Sequence, residues 1–219
     1  MNQASNVRVI GHETVIPIIS DSHSYFKAFD HVLATIPHEW VERVADKLFE
    51  AYQTGSAVFV FGNGGSAALA SHFACDLGKG TCLNGKLPKR FRVMSLTDNM
   101  PLLTAWANDT SYDHIFAEQI RNFVVPGDIA FAISGSGNSP NVLHGLEAAR
   151  EAGALTIGLG GFQGGKMKQL CDLCIVIPSD NMQIIEDFHV SVSHALFTLV
   201  CNRIRSHVGT RQVLAATAR

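Results

Sequence analysis

Five short apolar runs, at residues 57–61, 92–96, 128–133, 155–159 and 173–177, alternate with longer segments of helical periodicity. No other feature restricts the fold as tightly. Such runs lack the polar alternation of a half-exposed strand, so each must be covered on both faces. Strands of this kind separated by helices build a parallel sheet with helices above and below it. The helical segments lie at 66–77, about 113–122, 140–152, 165–170 and from about 182 to 207. Upstream, Phe26, Phe29, Val32 and Leu33, then Trp40, Val41, Val44, Leu48 and Tyr52, recur at helical spacing. Pro37 divides them into two helices that meet near Ile36. Residues 1–18 carry no clear periodicity, and 208–219 have little to anchor them. The expected plan is an N-terminal helical segment at 1–55, an α/β three-layer sandwich with a five-stranded parallel sheet at 56–207, and a tail at 208–219, one globular domain overall.

The charge balance is nearly even, with 17 Lys and Arg against 19 Asp and Glu and no basic stripe. Nucleic acid is therefore not expected as a direct ligand. No uninterrupted apolar run approaches the roughly 20 residues that span a bilayer, and no basic-then-apolar leader opens the chain. A cytoplasmic protein without a membrane partner is the expectation. The five cysteines are odd in number and irregularly spaced, which argues against a disulfide framework. Cys171 and Cys174 have CxxC spacing but no second pair, and they lead straight into the last apolar run. They read as buried strand-entry cysteines rather than a zinc or redox motif.

Two of the apolar runs end in the same way. Val58-Phe59-Val60-Phe61 opens into Gly62-Asn63-Gly64-Gly65-Ser66, and 128–133 opens into Ser134-Gly135-Ser136-Gly137-Asn138-Ser139, with a helix starting near Pro140. One Ser/Gly turn is ordinarily just a turn. A strand that opens into such a turn at a helix start, however, presents backbone N–H groups and hydroxyls to an anion. Ligands of open parallel sheets bind beyond the carboxyl ends of the strands. Two such turns on that edge point to a sugar phosphate.

A second constellation lies on helices. His72 and Asp76 are four residues apart and share a face. Such a pair serves as two metal ligands, as a base with its partner, or merely as a surface contact. The last helical segment carries Glu186, Asp187, His189 and His194 among Ile184, Ile185, Phe188, Val190, Val192, Ala195, Leu196 and Leu199. Glu186 and His194 fall about 80° apart around the axis, and Asp187, Ser191 and His194 share a narrower stripe. Polar groups in so apolar a helix need partners when buried, and satisfied core histidines are the ordinary alternative to ligands. His189, on another side of the helix, reads as packed against a neighbouring subunit. His114 and His144 read as surface positions, and Trp40 and Trp106 as core or interface residues.

Taken in order, Phe61-Gly-Asn-Gly-Gly-Ser66, His72-Phe-Ala-Cys-Asp76, Ala107-Asn-Asp109, Ser134-Gly-Ser-Gly-Asn-Ser139 and Gly164-Gly-Lys166 resemble the sugar isomerase (SIS) domain family. More narrowly they are similar to the sedoheptulose 7-phosphate (phosphoheptose) isomerases. The similarity runs from about Val58 to Leu199. It implies the SIS fold, a homotetramer with active sites shared between subunits, and conversion of sedoheptulose 7-phosphate to D-glycero-D-manno-heptose 7-phosphate by proton transfer at C1 and C2. Carried over by motif, Ser66, Ser134, Ser136 and Ser139 hold the phosphate or neighbouring hydroxyls, with Gly135 in the same turn. Asn63, Gly64, Gly65, Asn108 and Asp109 line the sugar. His72, Asp76, Glu186 and His194 fall at the positions of one zinc site per active site, where Glu186 also borders the substrate. Asp76 and His194 fall at the positions of the catalytic proton-transfer pair.

The chain departs from the family pattern at several of these positions. Asp76 stands where Glu is usual, Glu186 where Gln is usual, and Gly135 where Thr is usual. An Asp–Arg pair expected just before Glu186 is Gln183-Ile184, and an arginine expected shortly after Asp76 gives way to Gly78-Lys79-Gly80. Lys79 offers charge by another route. Two other readings use the same motifs: an SIS isomerase for a different phosphosugar, or a non-catalytic SIS protein that binds the bacterial replication initiator. That scaffold type lacks the acid and the C-terminal histidine, both of which this chain has.

Overall fold

The computed structural model describes residues 19–82 and 89–217, with side chains to 208. The expectations for 1–18 and 218–219 lie outside the described residues. The first of two compact units, Met1–Ile36, contains helix α1 (Ser22–Leu33), which Asp21 opens with a capping box shared with Ser24. The divide thus falls at Pro37, earlier than the expected boundary near 55, because α2 (His38–Thr54) packs with the sheet of the second unit.

That unit alternates as the sequence predicts: β1 (Val58–Gly62), α3 (Gly65–Cys75), β2 (Val93–Ser95), α4 (Met100–Asp109), α5 (Ile115–Phe123), β3 (Ile129–Ser134), α6 (Pro140–Glu151), β4 (Leu155–Gly161), α7 (Met167–Leu170), β5 (Leu173–Ile177) and α8 (Met182–Thr217). A π turn, Asp76–Gly80, extends α3, and a 3-10 turn, Tyr112–His114, precedes α5. The sheet order is β2-β1-β3-β4-β5 and every pairing is parallel. β1 and β3 are buried along their whole length, as their unbroken apolar runs require. Two carboxylates tie the strands at the opposite edge. Asp128 accepts from the Ala57 amide at 2.7 Å and the Val125 amide at 3.1 Å, and Asp172 accepts from the Thr156 amide and hydroxyl, both at 2.8 Å.

Three departures are informative. Helix α4 was not expected, and it buries none of its residues despite being mostly apolar. Helix α8 runs on to Thr217, so 208–217 continues a helix rather than forming a separate tail. By length and composition its Met182–Val208 portion suffices to cross a membrane, contrary to the expectation that no segment would, but half of it is buried inside the fold. Ile184, Ile185, Phe188, Val192, Leu196 and Val200 form the covered stripe.

His189 shares that covered side. It is 1% exposed within its own chain, whereas the sequence reading assigned it to packing against a neighbouring subunit. Neither ring nitrogen has a hydrogen-bond partner of good geometry, and burial pushes its pKa down to about 4, only partly offset by the Gly160 backbone. The ordinary value is 6.5, so between 6.5 and 4 the unfolded chain binds the extra proton and acid favours unfolding. The contribution is complete above the unfolded value and lost as pH falls to the folded one; its size is about 3 kcal/mol. The denaturation midpoint should therefore fall over this pH window, and His189→Leu should flatten that part of the curve. An unchanged slope in the variant would remove His189 as the cause.

Candidate active site

The strand order turns back at one place. From β1 the chain moves to β2 on one side and then to β3 on the other, so the carboxyl ends of β1 and β3 flank a topological switch point. Both Ser/Gly turns begin there. The strands approach closely because residue 62 is glycine: a Cβ on Gly62 would stand 2.5 Å from the Ile133 carbonyl oxygen and 2.8 Å from Ser66 Cβ.

The two helices that follow these turns start without a side-chain cap, unlike α1 and α4, which Asp21 and Asn99 cap. The Ser66 and Val142 amides bond back to Asn63 and to Ser139 and Asn141, so what these starts offer a ligand is their positive dipole ends and the remaining first-turn N–H groups. In the second turn, the Gly137 amide donates to Ser134 Oγ at 3.2 Å and the Asn138 amide donates to Ser136 Oγ at 3.2 Å. Each hydroxyl thus accepts from the backbone and keeps its own O–H to donate. Gly137 takes φ 63°, and the turn rests on Gly164–Gly165, with the Lys166 amide donating to Asn138 Oδ1 at 3.0 Å. The Gly164-Gly-Lys166 motif is therefore a brace under the second turn.

The two turns are joined directly. Asn63 and Asn141 form a reciprocal carboxamide pair, Nδ2 to Oδ1 at 2.8 Å in each direction. Asn141 is 1% exposed and Tyr112 donates its hydroxyl to Asn63 Oδ1 at 3.0 Å. Sequence reasoning missed both residues. Asn141 offered only a weak signal, its place directly after Pro140 at a helix start, and Tyr112 offered none.

His72 and Asp76, from α3 and its π-turn extension, meet His194 from α8. His72 Nε2 lies 3.4 Å from His194 Nε2 and 3.5 Å from Asp76 Oδ2, and His194 Nε2 lies 3.8 Å from the same oxygen. Among the described residues these three form a group able to hold a metal ion. Zinc bonds of about 2.0–2.2 Å place tetrahedral ligand atoms roughly 3.3–3.6 Å apart, so the donor set fits that size. Glu186 is not part of the group. Its carboxylate rests beside Gly65, with Oε1 3.2 Å from where a Cβ would stand. Of the four residues at the zinc positions, the structure brings three together and sets the fourth at the first anion turn.

The remaining candidates are placed as follows. Gly64, Gly65 and Ser66 open α3, Ser66 being buried. Ser139 starts α6 without spending its hydroxyl on a cap. Asn108 and Asp109 are exposed at the end of α4 and bond to each other, Nδ2 to Oδ1 at 2.9 Å. Lys79 is exposed on the π turn, while a Cβ on Gly80 would meet the Phe197 ring at 2.5 Å. The cysteines 171 and 174 are half-buried, both against Gly158, and hydrogen-bond to each other. That bond, with burial, pushes the Cys171 thiol up, and it lowers Cys174.

Gly135 has a specific occupant. A Cβ there would lie 2.5 Å from Met182 Sδ, so the thioether sits directly on the second turn. Gly135→Thr should displace Met182 and lower stability by about 1–3 kcal/mol. Adding Met182→Ala should recover most of the loss, as read from denaturation midpoints; no recovery would mean the two positions are not coupled.

The model of the SIS domain matches residues 24–161, more than half of the chain. The phosphoheptose isomerase of Rhodospirillum rubrum is 44% identical over 160 residues, covering 73% of this chain and 84% of that protein. That of Trichlorobacter lovleyi is 39% identical over 167 residues, covering 73% and 80%. Among solved structures, the phosphoheptose isomerase of Neisseria gonorrhoeae superposes with a TM-score of 0.75 at 29% identity, covering 84% of this chain and 96% of that one. The Francisella tularensis phosphoheptose isomerase gives 0.77 at 27% identity, with 82% and 96% covered. With its parallel sheet, the paired Ser/Gly turns at the switch point, and a His–Asp–His cluster formed by α3, its π-turn extension and α8, the chain belongs to the SIS-domain family and, within it, to the phosphoheptose isomerases.

Proposed function

We propose that this sugar-phosphate isomerase interconverts sedoheptulose 7-phosphate and D-glycero-D-manno-heptose 7-phosphate, using the switch-point site between the two turns. The observation that carries the reading is the convergence of His72, Asp76 and His194 from two helices, one of which, α3, also starts at the first Ser/Gly turn. The substrate is that of the relatives' name, and the chemistry it needs is present. Ser66, Ser134, Ser136 and Ser139 hold the phosphate, and Asn63, Gly64, Gly65 and Glu186 border the sugar chain. Anchoring the remote phosphate fixes the reacting carbons without adding charge to them.

Aldose–ketose exchange moves a proton between C1 and C2 through an enediol, which requires a base at carbon and a proton carrier at oxygen. Asp76 is the base. Its Oδ2 faces both imidazoles, and its Oδ1 has no hydrogen bond to a described residue, which leaves that oxygen for the proton. His194 gives and takes the proton at the carbonyl oxygen. His72, Asp76 and His194 would hold a zinc ion, which when bound supplies polarisation of the sugar oxygens. The pairing of Asn108 with Asp109 on the exposed end of α4, a helix that buries no residue of its own, favours a homotetramer in which this end serves a neighbour's site. A cytoplasmic location suits a phosphorylated sugar substrate.

Asp76→Asn should lower kcat by about 10²- to 10⁴-fold while calorimetry still detects sugar-phosphate binding. Normal turnover by the variant would remove Asp76 as the base, and a panel of ketose phosphates decides the sugar. For the metal, protein equilibrated with zinc and dialysed should retain one ion per chain, and His72→Ala should retain far less. Equal retention by both would place any bound zinc elsewhere.

A further inference from the structure

The Asn63 carboxamide sits in a closed ring of contacts. The Val142 amide donates to Asn141 Oδ1 at 3.0 Å, which fixes which end of Asn141 is oxygen. The reciprocal pair then fixes Asn63: its Nδ2 donates to Asn141 Oδ1, and its Oδ1 accepts from Asn141 Nδ2. The Tyr112 hydroxyl donates to that same Oδ1. A carboxamide oxygen has two lone pairs, and both are now taken. What remains is one N–H of Asn63 Nδ2, beside the exposed Gly64.

Tyr112 itself is held in place from the other side. His144, three residues along α6 from Asn141, has its Nδ1 3.1 Å from the Asp113 carbonyl oxygen. A carbonyl only accepts, so that nitrogen carries the proton. The His114 and His144 rings stack with centroids 5.4 Å apart and planes 12° apart, and Ser111 Oγ lies 3.0 Å from His114 Nδ1. One helix thus anchors both ends of the ring: Asn141 grips the first turn, and His144 grips the 3-10 turn that carries Tyr112. The tyrosine is 54% exposed, so its hydroxyl is not there to fill a core.

We propose that Tyr112 is a positioning residue that closes the acceptor side of Asn63, so that this carboxamide meets the ligand only as a donor. Asn63 then takes a ligand oxygen that accepts, a phosphate or carbonyl oxygen, and does not compete for the protons of sugar hydroxyls. This rests on the reading that the two turns hold a sugar phosphate. It adds a requirement which that reading lacks, namely a tyrosine hydroxyl outside every motif.

Tyr112→Phe removes the hydroxyl and little else. With sedoheptulose 7-phosphate, KM should rise about 3- to 10-fold, with kcat and melting temperature nearly unchanged. In an Asn63→Ala background the same change should have no further effect on KM. A ligand-free readout accompanies these: the Asn63 side-chain amide pair in a ¹⁵N spectrum, assigned by its loss in Asn63→Ala, should shift and broaden in Tyr112→Phe. An unchanged amide pair, or a KM penalty that adds fully in the Asn63→Ala background, overturns the proposal. Absence of turnover by the parent protein would instead overturn the functional reading, and the amide signal would still decide the role of Tyr112.

Discussion

Everything at the site depends on how closely β1 and β3 can lie where they end. Parallel pairing runs to the last residue, Gly62 opposite Ile133, and only a residue without Cβ fits against that carbonyl. Because the sheet order reverses between these two strands, the chain leaves them in opposite directions and opens a crevice. Two helix starts therefore face the same space. Their positive ends could not be brought together by a simple up-and-down order, and without an anion between them they would repel. The reciprocal bonds of Asn63 with Asn141 hold the turns together when no ligand does so.

The elements that carry this crevice were legible because their burial is extreme. β1 and β3 are covered on both faces, so their runs are purely apolar, and the predicted strands match the observed ones to within about two residues. The turns were legible from Gly and Ser at strand ends. Helix α4 was not, because only Leu103, Trp106 and Ala107 pack against the core, each partly buried, and so short and shallow a contact leaves no clear amphipathic stripe to read. The end of α8 was misplaced because residues 208–217 offer no clear apolar periodicity in sequence, although the helix runs through them. His189 shows the limit of angular reasoning. Its position around the helix was right, but whether that side faces the sheet or another subunit is decided by tertiary contacts alone. Tyr112 reaches Asn63 across 49 residues of sequence, and no local pattern encodes such a contact.

The departures from the family pattern are physically compensated where the structure describes them. Gly135 removes a side chain from the second turn and Met182 fills the volume, replacing a position able to carry a hydroxyl with a soft apolar surface. Gly80 leaves the space that Phe197 occupies, so α8 packs against the π turn where a cation was expected. Glu186 places a carboxylate against the start of α3, a favourable location for negative charge at a helix N-terminus. An anion entering the first turn, as the proposed function requires, would meet both the helix dipole and an opposing carboxylate.

The His–Asp–His cluster gathers the residues to which the proposed function gives both metal binding and proton transfer. Its separations of 3.4, 3.5 and 3.8 Å are long for strong hydrogen bonds, and contact between these acceptors calls for a proton carried on an Nε2 or a cation set among them. The neutral tautomer with its N–H at Nε2 meets that requirement, and so does a metal ion. Both use the same lone pairs, so a metal ion held there would require that proton to leave. Asp76 escapes the competition because a carboxylate has two oxygens. One faces the imidazoles, and the proposed mechanism gives the other the carbon-bound proton. The π turn begins at Asp76, so α3 changes its winding at the residue proposed as the base, a position where Asp stands in place of the longer Glu.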